Sequence, residues 1–123
     1  MINREECIKI GEKYNFKIIS PEVDCKNYIE QASIFKECKY FICETGSGLF
    51  NFLLLPANCK ILIISYRLRC IKTIENYAKY LMNYTGHKIK ICNGELISGS
   101  SSNCKWELLT DKFEKSLQNL LSI

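Results

Sequence analysis

Apolar positions in this chain recur at two spacings that take turns along its length. Tyr40 to Cys43 and Lys60 to Ile64 are short apolar runs of strand length. Between them lie the turn Gly46-Ser47-Gly48, the apolar segment Leu49 to Leu55, and a Pro56-Ala57-Asn58 break. Strand, tight turn, helix, break and strand make a βαβ unit, the smallest device that sets two strands parallel.

The same reading extends outward from that unit. Asn3 can cap a helix running to about Tyr14, with Glu6 as its reciprocal partner and Ile2 stapled on Cys7. Asn15 follows where a left-handed residue would end it. Phe16-Lys17-Ile18-Ile19 then reads as a short buried strand closed by Ser20-Pro21. Asp24 would cap the next helix, whose apolar face is Cys25, Tyr28, Ile29, Ala32 and Phe35.

Past Ile64 comes a basic connector, Tyr66-Arg67-Leu68-Arg69. It leads to a helix with Ile71, Ile74, Ala78 and Leu81 on one face, ending before Gly86. Lys88 to Cys92 alternates like a half-exposed strand, and Asn93-Gly94 predicts a hairpin into Glu95-Leu96-Ile97. Ser98 to Asn103 is a polar loop. Trp106 to Leu109 enters a last helix, capped by Thr110, with Phe113, Leu117, Leu120 and Leu121 as its stripe. Strands alternating with helices predict an α/β fold: an open, mainly parallel Rossmann-like sheet with helices on both faces. Residues 1–123 have room for one domain and one core.

Charge and composition remove several function classes. The net charge of +4 is mild and its lysines are scattered, which gives nucleic-acid binding no support. The eight cysteines include no C-x-x-C pair and His87 is the one histidine, so a zinc site is not expected. Most of the cysteines fall inside apolar periods and read as free thiols in a reducing compartment. With no signal-peptide pattern at the start and no apolar run long enough to span a bilayer, the expected location is cytoplasmic.

Candidate chemistry gathers at the glycine turn. A helix N-terminus offers orphan amides and a partial positive charge to an anion, and open α/β sheets bind ligands beyond the carboxyl ends of their strands. Gly46 and Gly48 would let the backbone approach a diphosphate; equally, they are what a tight strand-to-helix turn requires. Ser47 would donate a hydroxyl to phosphate or simply start the helix. Asn51 would bond the ligand or a neighbouring loop. Glu44 would act as general base for an acceptor hydroxyl, or contact a ribose, although its charge would repel a diphosphate. Arg67 would neutralise phosphate or belong to an exposed basic turn. His87, after Gly86, reads as a surface residue. Cys43 has no histidine beside it to make a thiol nucleophile, and neither a G-x-S-x-G nor a cysteine–arginine signature of a hydrolase or phosphatase is present.

The run IEQASIFKECKYFICETGSGLFNFLLLPANCKILII resembles the hallmark segment of the family 61 glycosyltransferases. That segment is an apolar strand, HGAGLTN, an apolar helix, a Pro-Gly turn and a second strand. Gly46-Ser47-Gly48-Leu49-Phe50-Asn51 stands on the GAGLTN portion, Glu30-Gln31 on a Glu-Gln of the preceding helix, and Pro21-Glu22 on the pair after the preceding strand. Ile2-Asn3-Arg4-Glu5 and Trp106 to Leu121 are similar to the opening and closing stretches, so the likeness runs through essentially the whole chain.

The resemblance implies the C-terminal, donor-binding half of a GT-B-type enzyme that transfers a glycosyl group from a UDP-sugar, with no metal or other cofactor. Thr45, Gly46, Ser47, Gly48, Leu49, Asn51 and Arg67 would bind the nucleotide-sugar, and Glu44 would be the catalytic residue. Thr45 stands where the family has histidine. The chain starts after the family's basic upstream strand, so the acceptor half is expected from a second domain or subunit, without which the chain would be inactive. The alternative is a non-catalytic remnant or interaction module that keeps the glycosyltransferase fold.

Overall fold

The computed structural model describes residues 3–19, 24–44, 55–66, 76, 79, 80, 85–99 and 105–123. Its elements in chain order are α1 (Arg4–Lys13), α2 (Tyr28–Phe35), β1 (Tyr40–Glu44), β2 (Lys60–Tyr66), β3 (Lys88–Ser98), β4 (Lys105–Glu107) and α3 (Thr110–Ser122). Among the described residues, four strands form one sheet in the order β1-β2-β3-β4. β1 and β2 are parallel in the register Tyr40↔Lys60 to Glu44↔Ile64. β2 and β3 are parallel from Lys60↔Lys88 to Tyr66↔Gly94, and only the edge pair β3–β4 is antiparallel. The expected mixed α/β fold with mainly parallel neighbours is therefore present.

The pleat of β2 sends alternate side chains into two separate cores. Leu62 and Ile64 join Cys7 of α1, Cys92, Trp106, Leu108 and the α3 stripe Phe113, Leu117 and Leu120. Ile61 and Ile63 join Phe35 of α2, Leu55 and Cys59 on the opposite face. Because both faces of β2 are covered, its run of four apolar residues is fully buried, as a central parallel strand demands. No helix among the described residues is long and apolar enough to cross a membrane.

Several local expectations are corrected. Phe16–Ile19 is irregular rather than a strand, and Ile18 is 46% exposed. Phe16 nonetheless packs edge-on against Tyr40 of β1, with ring centroids 6.5 Å apart. Asn3 occupies the N-cap of α1 but makes no capping bond; its side chain bonds the Leu108 backbone instead, donating from Nδ2 to the carbonyl (2.6 Å) and accepting from the amide at Oδ1 (3.0 Å). Asn27, not Asp24, caps α2, its Oδ1 accepting from the Glu30 amide at 2.9 Å. Tyr28 and Ile29, assigned to the buried face of that helix, are 66% and 76% exposed. Leu109 rather than Thr110 occupies the N-cap of α3.

The Asn93-Gly94 hairpin does not form: β3 runs through it without reversing. Neither residue has the positive φ that such a turn requires. Gly94 serves a packing purpose, because a Cβ there would strike Cε3 of Trp106, with Cζ3 at 2.7 Å and the Glu107 carbonyl at 2.9 Å. Asn15 adopts the expected left-handed conformation, φ 67°.

Candidate functional site

The carboxyl edge of the parallel strands is where β1 ends, at Glu44, and where the predicted glycine turn begins. Glu44 is the one residue of the predicted site that the structure describes. Thr45, Gly46, Ser47, Gly48, Leu49, Asn51 and Arg67 lie outside the described residues, as do most of the helices expected over 49–55 and 71–81. Leu55, the return from that crossover, is buried in the α2-side core.

Glu44 pairs in register with Ile64 and shares its face of the sheet, which α1 covers. Arg4, the first residue of α1, grips it with a fork: Nε donates to Oε1 and Nη2 to Oε2, both at 3.0 Å. The pair is partly solvated, with the arginine side chain 57% and the glutamate 34% exposed. Such a bidentate pair fixes the orientation of the carboxylate and occupies both of its oxygens.

On the opposite face of the same edge, beyond Ile63 and Ile91, the pleat sets Ser65 beside Asn93. Ser65 is 2% exposed. The Asn93 Oδ1 atom is buried and has no hydrogen-bond partner among the described residues.

Two contacts escaped the sequence. Arg4 and Glu44 are too far apart in the chain for any local pattern to pair them. His87 is buried at 2% exposure, not on the surface, and its Nδ1 accepts from the Cys59 amide at 3.0 Å. The Gly86 left-handed turn (φ 73°) just ahead of β3 was the available sign that the chain bends sharply inward there.

A sequence model of the family described as Glycosyltransferase 61 matches residues 1–62, half of the chain. The chain belongs to the glycosyltransferase 61 family. The matched span takes in α1, α2, β1, residues 46–48 and the start of β2. The likeness read at Trp106 to Leu121 lies beyond it. No curated protein and no solved structure matches the chain.

Proposed function

We propose that this glycosyltransferase 61 chain is the Rossmann-like, donor-binding half of a GT-B-type enzyme and holds a UDP-sugar at the carboxyl edge of its parallel sheet. One observation carries the reading: inside the family-matched span, β1 leaves the sheet at Glu44 and the chain returns through Leu55 to a parallel β2. The intervening sequence contains the GSGLFN run, two residues after β1 ends at the carboxyl edge, where open α/β sheets take their ligands. In this reading the amides of residues 46–48 and the Ser47 hydroxyl hold the diphosphate. Thr45, Leu49 and Asn51 complete the donor pocket, and Arg67 adds charge. No metal is required, because amides and arginine meet the phosphate charge.

Transfer to an acceptor would use a second domain or subunit, with Glu44 as general base once Arg4 turns to the donor phosphates. The arginine fork on Glu44 also favours a second reading, a module that keeps the fold without chemistry, since both carboxylate oxygens are already engaged.

Titration calorimetry of the folded chain with UDP, UDP-sugars and, as controls, uridine and phosphate is the test. Binding of UDP and a UDP-sugar in preference to both controls is expected. No heat at millimolar UDP would overturn the donor-site reading. UDP binding without turnover in the presence of any acceptor half would favour the second reading.

A further inference from the structure

A second pair of side chains meets at the opposite, amino edge of the sheet. Cys38 lies just before β1 and Cys59 just before β2. The Lys60 amide donates to the Lys39 carbonyl at 2.9 Å, so the two approaches run side by side before the strands formally begin. Both cysteines belong to the α2-side core, Cys59 as a buried member at 2% exposure and Cys38 as a partly buried one. The Cys38 thiol donates to the Tyr40 carbonyl at 3.1 Å, and the two sulfurs lie close enough for each to shift the other's acidity. Both are free thiols. They also line one open groove of about 600 Å³, together with Lys36, Glu37, Lys39 and Lys60.

We propose that Cys38 and Cys59 form a thiol–disulfide exchange site for a small anionic disulfide of the glutathione type. Cys38 is the attacking group and Cys59 the resolving one. The groove gives a reagent access to the half-buried Cys38, while three lysines against one glutamate suit an anionic partner. Cys59 is held in place on its other side, its amide bonded to His87 Nδ1.

The acidities agree with those roles. The neighbouring Cys59 side chain lowers the pKa of Cys38, and Cys38 raises that of Cys59. The other described cysteines move the wrong way for attack. Burial pushes Cys43 up to about 12 and Cys7 up to about 11, and it also raises Cys92. Desolvation and the nearby Glu30 and Asp24 carboxylates raise Cys25. A thiolate attacks a disulfide far faster than a thiol does.

The steps balance. The Cys38 thiolate attacks one sulfur of the small disulfide, a new S–S bond forms, the old one breaks, and one small thiolate leaves. Cys59 passes its proton to that thiolate through solvent and attacks the Cys38 sulfur. The second small thiolate is expelled and takes up, through solvent, the proton that Cys38 had lost. Two protein thiols are oxidised and one disulfide is reduced to two thiols. The product ties the approach to β1 to the approach to β2, closing a ring that spans residues 38–59, and it reverses with excess small thiol.

The test is independent of nucleotide binding. The folded full-length chain is held in glutathione buffers at near-neutral pH, quenched with an alkylating agent, and digested with trypsin without reduction. Peptide 37–39 joined to peptide 40–60 is the expected main product, with fragmentation assigning the bond to Cys59 rather than Cys43. The Cys59→Ala variant should accumulate a mixed disulfide at Cys38, and Cys38→Ser should leave Cys59 alkylated. If a variant fails to fold, the digest of the parent chain still decides. Cys38 linked chiefly to any other cysteine, including Cys70 or Cys104, would overturn the proposal. So would Cys38 and Cys59 both remaining alkylated in excess oxidised glutathione.

Discussion

Gly94 packs against Trp106, whereas Gly46 and Gly48 are proposed to hold a diphosphate, and substitution separates the two roles. At Gly94 a Cβ would meet the Trp106 ring and the Glu107 carbonyl, and the latter is backbone that cannot swing aside. Gly94→Ala should therefore cost about 1–3 kcal/mol by overpacking, read as a fall in urea midpoint at constant slope. An unchanged midpoint would mean that β4 shifts without cost. At Gly48, if the backbone lies against a diphosphate, Gly48→Val should weaken UDP binding roughly tenfold, about 1.4 kcal/mol, and leave the fold intact. Arg67→Ala should weaken it less, and the loss should shrink as salt rises. A folded Gly48→Val chain that binds UDP like the parent would make the turn purely architectural.

Among the elements, α1 and α3 are joined by a polar seam above their shared apolar core. Lys13 Nζ donates to Glu114 Oε1 at 2.7 Å, the Tyr14 hydroxyl donates to the same oxygen at 2.8 Å, and Gln118 Nε2 donates to the Tyr14 oxygen at 2.8 Å. The hydrogen bond from Lys13, with that from Tyr14, holds the Glu114 carboxyl below its ordinary value. A depressed carboxylate is harder to protonate in the folded chain than in the unfolded one. Its contribution is thus complete above the unfolded value of about 4.3 and is lost as pH falls through the lower folded value. Glu114→Gln should lower the melting temperature at pH 7. The gap from the parent should narrow as the pH drops below about 4. A gap that stays constant from neutral pH to pH 3 would show that Glu114 acts only by packing.

At the scale of the molecule, the carboxyl edge joins the two faces. Arg4 comes from α1 on one face, and Ser65 and Asn93 stand at the same edge on the other, beyond Ile63 and Ile91. A ligand seated across that edge would brace both cores at once. UDP at about a hundred times its dissociation constant should add roughly 2.7 kcal/mol of stability. For a chain of this size that raises the melting temperature by roughly 10 °C. Thermal melts with UDP, uridine and phosphate would check it. A shift no larger with UDP than with phosphate would point to an unspecific anion effect.

The α1 span, the β2 run, the alternation of β3 and the α3 stripe were all legible in the chain, because each depends on residues a few positions apart that share one face. The parallel pairing of β1 with β2 was legible for the same reason. The failures share a different cause. Asn93-Gly94 carries the local chemistry of a turn, yet pairing with β2 on one side and β4 on the other holds it straight, and Trp106 needs the missing side chain. Tyr28 and Ile29 have helical spacing with Phe35, but α2 is short enough that only its far end reaches the sheet. Asn3 has the chemistry of a cap, but it is taken by Leu108, more than a hundred residues away. Among the described residues, local spacing determined most of the segments that are helix or strand. The tertiary structure alone decided that Arg4 grips Glu44, that Cys59 meets Cys38 and that His87 lies buried, because those contacts join positions that no local periodicity relates.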